Sequence, residues 1–170
     1  MPNVEHTQLF QRSITKASLD DVVHCLSKGK DPNAKDSNGL TSLFWAVDLS
    51  KTPEVVKVLL DAGADLNTRN VLGSIPLHWA AQFSQTPEMV EILLEAGADP
   101  NTRTDDFEST PLHFAVRNTK GLAQAIGAVE VLLDAGADPT ARNASGKTAW
   151  DRIPDRIPDD SLLRDLLKNP

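Results

Sequence analysis

One glycine recurs through this chain at nearly constant spacing, and that spacing constrains the fold more than any other feature. It sits in "SKGKDPNAKD", "DAGADLNTRN", "EAGADPNTRT" and "DAGADPTARN", as Gly29, Gly63, Gly97 and Gly136, at intervals of 34, 34 and 39. A second echo precedes each later glycine or follows the last: "GLTSLFWA", "GSIPLHWA", "STPLHFA" and "GKTAWD". The 170 residues therefore divide into about five copies of one unit, with weaker matches at both ends. A unit this short cannot bury an apolar face by itself, so its copies must stack.

Each unit reads as two helices and a loop. In the second, "TSLFWAVDL" is a short helix, and Thr52, Pro53 and Glu54 open another as N-cap, first helical residue and first-turn acid. Val55, Val58, Leu59 and Ala62 then share one face at helical spacing. Gly63 stops the helix in a left-handed cap, and "ADLNTRNVLG" suits a turn. Thr86, Pro87 and Glu88 repeat the opening in the third unit. The first unit has polar "QLFQRSITK" in place of the first-helix motif, then Ser18 as an N-cap before Asp20 and Asp21. Pro154 and Pro158 break the last unit, leaving a closing helix near 160–168. The expected architecture is all-α: one domain over 1–170, with units 5–36, 37–70, 71–104, 105–143 and 144–170.

The long fourth interval carries five extra residues. One belongs to "TDDFEST", which lacks the glycine of the other hairpins. The other four lie in "RNTKGLAQAIGAVEVLL" and amount to about one helical turn. They predict a second helix lengthened to about 120–135, with Thr119 as N-cap and Leu122, Ile126, Val129 and Leu133 on its buried face. Gly127 inside that helix implies a close neighbour or a slight bend.

No catalytic constellation is present. "SGKT" has the letters of a phosphate loop, but Ala141 stands where its first glycine is required. Adjacent acids such as Asp105 and Asp106 read as solvated turns. The sequence offers no clustered metal ligands and implies no cofactor. Cys25 is the only cysteine, so no disulfide forms within the chain, and it reads as a small core residue. The net charge of −7 disfavours a sequence-independent grip on nucleic acid and suits a partner with a basic surface. "MPNVEHTQLF" has neither the basic nor the apolar region of a secretory signal, and no apolar run approaches a membrane span. A cytoplasmic monomer is the plain expectation.

The linked motifs resemble ankyrin repeats. "TPLHFA" at 110–115 matches that family's T-P-L-H-x-A in full. "IPLHWA" at 75–80 lacks only the threonine, and "TSLFWA" at 41–46 keeps the frame without the proline and histidine. With the "GADPN" echoes the resemblance covers roughly residues 5–168, and the "TPE" helix opening is similar to a variant associated with bacterial members. The resemblance implies an ankyrin-repeat solenoid in which His78 and His113 are structural hydrogen-bonding residues. It also implies a non-catalytic module that binds another protein through hairpin tips and the concave face. An inhibitor or immunity-type protein capping an enzyme, or a host-directed effector or adaptor, are alternative forms of the same role.

Carried over by register, the candidate contact residues begin with Leu40 in the second unit and Leu72 and Phe83 in the third. The fourth contributes Asp105, Asp106, Phe107, Glu108 and Arg117. Trp45, Trp79 and Phe114 fill one column, which either supplies interface anchors or half-packs against the neighbouring unit. Phe83 is divided in the same way between partner contact and plugging the turn between helices. Phe107 either projects from a mobile acidic tip or folds back over the stack.

Overall fold

The structure is a computed structural model that describes residues 19–49, 53–118, 120–155, 157–158 and 161–168. Its helices are α1 (Leu19–Ser27), α2 (Ser42–Leu49), α3 (Pro53–Asp61), α4 (Pro76–Phe83), α5 (Glu88–Glu95), α6 (Pro111–Ala115), α7 (Leu122–Asp134) and α8 (Leu162–Lys168). A 3-10 turn covers Trp150–Arg152, and no strand occurs among the described residues. The expected all-helical solenoid is what forms. First helices α2, α4 and α6 stack in one row, while α1, α3, α5 and α7 stack in a second. Within each unit the two helices pack on each other, and α8 closes the far end against α7.

The core is built in columns by the repeat. Leu43, Leu77 and Leu112 occupy one register of the first helices and are fully buried. Ala46, Ala80 and Ala115 hold another, where a small side chain lets adjacent helices approach closely. Leu59, Leu93 and Leu132 form the corresponding column of the second helices. Each fully buried leucine contributes on the order of 1.5–3 kcal/mol. Every column is shared between units, so no unit holds its own core.

The recurrent glycine acts as expected. Gly29, Gly63, Gly97 and Gly136 adopt φ between 75° and 97° just past the second helices. The amide after each donates five residues back into the helix, as from Ala64 to Leu59 at 2.9 Å and from Ala98 to Leu93 at 3.0 Å. The openings of the second helices differ from expectation. Pro87 itself stands at the N-cap of α5 with no side-chain cap, its carbonyl receiving the Val90 and Glu91 amides, so Thr86 plays no capping part. The readings of Thr52 and Ser18 as N-caps and of the polar "QLFQRSITK" segment lie outside the described residues.

Helix α7 has 13 residues against 9 in α3 and 8 in α5, so the predicted extra turn is present. Its details shift. Gly121, at φ 141°, takes the N-cap position, and Thr119 lies outside the described residues. The buried face is Ala125, Ala128, Val129 and Leu132, while Leu122 is exposed and Ile126 and Leu133 are half-buried. The apolar residues outnumber the space between rows, and the smaller alanines take the inner positions. Gly127 does have a close neighbour: a Cβ there would stand 3.1 Å from Cγ of Pro87.

Two histidines join the units. In α4 the Ile75 amide donates to Nδ1 of His78 (3.3 Å), which leaves the proton on Nε2 to donate to the Ser109 carbonyl at 3.0 Å. In α6 the Thr110 amide donates to Nδ1 of His113 (3.2 Å), whose Nε2 donates to the Lys147 carbonyl at 2.9 Å. Each ring therefore closes its own helix start and holds the carbonyl that ends the next hairpin. The structural role implied by the resemblance is the one the two rings perform. Pro76 and Pro111 occupy the first helical position, where a missing N–H leaves no gap.

A ladder of basic side chains repeats this along the loops. Arg69 Nη1 donates to the carbonyls of Gly73 (2.7 Å) and Arg103 (2.9 Å). Arg103 Nη1 donates likewise to Glu108 (3.0 Å) and Arg142 (2.7 Å).

Burial pushes His78 down to about 4, with the nearby Arg69 charge acting in the same direction. His113 is lowered for the same first reason. The unfolded chain binds a proton near pH 6.5 that the folded His78 refuses, so its contribution is complete above that pH and is lost as pH falls toward 4. The urea midpoint should therefore drop between pH 7 and pH 4.5, by up to roughly 3 kcal/mol in stability from His78. In His78→Gln the slope over that window should be visibly shallower; an unchanged slope would contradict the assignment. Backbone geometry supplies a second expectation. Gly97→Ala meets open space and should lose only about 1 kcal/mol, from left-handed φ. Gly73→Ala places a Cβ against the Asp105 backbone and should lose at least about 3 kcal/mol by urea denaturation.

Candidate interaction groove

Two adjacent columns of the first-helix motif define the candidate site. Counting from Thr41, Ile75, Thr110 and Thr148, the third residue on is Phe44, His78, His113 and Asp151. The fourth is Trp45, Trp79, Phe114 and Arg152. Asp151 does for the last unit what the histidines do earlier: its Oδ2 accepts the Thr148 amide at 2.9 Å. The aromatic column seen in the sequence thus continues into an arginine, which the sequence reading missed although the register marks it.

The rings pack between units. Phe44 meets Trp79 edge-on at 5.5 Å between centroids, and His78 meets Phe114 edge-on at 5.1 Å. Trp79 also meets Phe83 at 5.3 Å. Trp45, Trp79 and Phe114 are each half-buried, with part of the ring in the core and part at its edge. For Trp79 and Phe114 the outer part faces a groove of about 400 Å³.

That groove spans three successive units. Trp79, Phe83 and Phe114 line it from the first helices, and the hairpins contribute Leu72 and Phe107. Arg117 and Arg152 reach it from the end of α6 and the 3-10 turn. Burial and the Arg117 charge hold the Arg152 guanidinium below its usual value. Leu72 and Phe107 are 54% and 60% exposed, and Val71 beside Leu72 is 67% exposed. Six of the residues marked from the sequence are therefore gathered in one place. Gln82, also in its wall, adds an amide.

Other marked residues are placed elsewhere. Leu40 is 4% exposed, with its amide bonded to Oδ1 of Asp36, so its side chain belongs to the core rather than to a contact surface. The hairpin turns it inward, because the glycine before it points the chain back to the stack. Trp45 stands one unit before the groove and does not line it. Asn118, which follows Arg117, is buried: its Nδ2 donates to the Ala81 carbonyl at 3.0 Å and closes the end of α4.

The hairpin around Phe107 explains the acidic residues. Gly39, Gly73 and Gly146 turn the other hairpins at φ of 75°, 69° and 71°, and Glu108 fills that role here at φ 47°. It is the one non-glycine residue with positive φ among those described. The tip is tethered rather than mobile, since the Phe107 carbonyl accepts the Ala144 amide of the next hairpin at 2.9 Å. Asp105 is paired with Arg69 at 2.9 Å, and Glu108 approaches Arg103 at 3.8 Å. Asp106 is exposed. Glu108→Gly should relieve the left-handed backbone and raise stability by about 0.5–1 kcal/mol, since the exposed ion pair it removes is worth little. A urea midpoint that stays put or falls would show that the turn is unstrained.

No group of three or more His, Cys, Asp or Glu side chains able to hold a metal occurs among the described residues. No described helix is long and apolar enough to cross a membrane. A family model for ankyrin repeats in three copies matches residues 13–104, more than half of the chain, and a single-repeat model matches residues 108–144. No curated protein matches the chain. The repeat spacing, the stacked helix pairs, the histidine bonds between units and these two matches agree, and the chain belongs to the ankyrin-repeat family.

Proposed function

We propose that this chain is a non-catalytic module that binds a partner protein through the groove between its third and fourth units and the hairpin tips beside it. Ankyrin repeats are generally protein–protein interaction modules, and typically scaffolds without chemistry of their own. The observation that carries the proposal to this surface is the exposure of Val71, Leu72 and Phe107 beside half-buried Trp79 and Phe114. Exposed apolar side chains that continue into a concave aromatic wall are the pattern of an interface core with its rim. Aromatic residues held by packing lose little conformational freedom on binding, which favours them as anchors. The role fits a monomer in the cytoplasm, where a lone cysteine is ordinary. Capping an enzyme as an inhibitor or immunity-type protein, and acting as an adaptor, are both uses of the same groove.

Leu72→Ala with Phe107→Ala tests the reading without disturbing the core, because both side chains are exposed. Capture of the native partner from source-cell lysate should fall at least tenfold in that double variant. It should not change in Glu91→Ala, which alters an exposed position on α5 in the opposite row. Equal capture by all three proteins would place the binding surface elsewhere.

A further inference from the structure

The charges of the groove differ from those of the chain. The whole sequence carries −7, which by itself favours a basic partner. Most cations near the loops are already engaged: Arg69 with Asp105, Arg103 with the carbonyls of Glu108 and Arg142, and Arg142 with the Gly146 carbonyl at 2.6 Å. Arg117 and Arg152 are not. Neither has an ion-pair partner among the described residues, and Arg152 makes only a long 3.4 Å bond to the Ser109 hydroxyl. The two guanidinium groups face each other's charge at the end of an aromatic groove. A shallower hollow beside them adds Lys147, together with Asp151, whose carboxylate is taken up by the Thr148 amide and hydroxyl.

We propose that the groove takes an acidic segment of the partner protein, an apolar side chain seated on Trp79, Phe83 and Phe114 and a neighbouring carboxylate between Arg117 and Arg152. Two guanidinium groups without ion-pair partners, Arg117 exposed and Arg152 partly buried, are mutually repulsive, and a carboxylate removes that repulsion while gaining charge-assisted hydrogen bonds to both. The planar fork of arginine suits a carboxylate that approaches along the groove. Asp106, exposed at the hairpin tip, disfavours a carboxylate there and leaves the arginines as its seat. The partner's local charge is therefore opposite to the one that net charge suggests. This inference rests on the groove being the binding surface, and it adds the chemistry of what binds there.

A random dodecapeptide library displayed on phage and selected against the intact protein provides the test, with selected sequences measured afterwards as fluorescein-labelled peptides by anisotropy. The expected result is enrichment of a large apolar residue with Asp or Glu within about three positions. Affinity should fall at least tenfold when that acid becomes Asn or Gln, and similarly in Arg117→Gln/Arg152→Gln, with circular dichroism and melting temperature unchanged. Binding should also weaken as salt rises. Peptides that need Leu72 and Phe107 but are basic or charge-indifferent would overturn this inference and leave the groove reading intact. Peptides indifferent to Leu72→Ala/Phe107→Ala would overturn both. A phosphoserine version that binds where the Asp version does not would assign the arginines to a phosphopeptide instead, and the absence of any enrichment would equally count against the proposal.

Discussion

The bond from an imidazole Nε2 to the carbonyl at the end of the next hairpin is the constraint on which the rest depends. His78 reaches Ser109 and His113 reaches Lys147, each while its other nitrogen closes the start of its own helix. A first helix of five to eight residues is too short to persist alone, because a helix gains little until several turns are fixed. Tying its first turn to a neighbour's loop places the hairpin and the helix together. That fixes the spacing at which Leu77 and Leu112 meet and the edge along which Trp79 and Phe114 are presented. The companion bond, in which Nδ1 accepts the amide at the helix start, works only with the imidazole neutral, and burial disfavours the charged ring, so the junction is sensitive to acid.

The second and last units use other chemistry for the same task. Phe44 replaces the imidazole in the second unit and packs its ring against Trp79, giving apolar contact where the later units have hydrogen bonds. Asp151 replaces it in the last unit and accepts the Thr148 amide directly. The cap beyond is short: α8 buries Leu163 and Leu167, and Arg164 lies over the Trp150 ring at 5.4 Å while donating to the Ile157 carbonyl.

Irregularity in the fourth unit has two separate consequences. The four residues near Gly121 lengthen α7 by a turn and set Gly127 against Pro87, which is an architectural use of added chain. The single added residue in the hairpin pushes Phe107 outward and obliges Glu108 to take a left-handed backbone that glycine takes elsewhere. The hairpin contributes Phe107 to the groove that Arg117 and Arg152 also line.

Much of this protein was determined by the sequence itself. Period, helix pairs, glycine caps, the extra turn and the paired histidines all follow from local rules of spacing and capping that act within one unit. Six of the residues marked in the sequence line one groove, because register along a regular stack carries position with it. The remainder was decided between units. Leu40 is in register with surface positions yet lies buried, and Asn118 is buried against the Ala81 carbonyl of the preceding unit. Ala125 and Ala128 join Val129 and Leu132 on the inner face of α7 in place of Leu122, Ile126 and Leu133, because its packing against α5 and α6 sets which face turns inward. The free charge of Arg117 and Arg152 likewise emerges only once the other arginines have spent theirs on neighbouring carbonyls. Local pattern specifies each unit; which side chains remain unsatisfied is a property of the stack, because partners and burial come from residues distant in sequence.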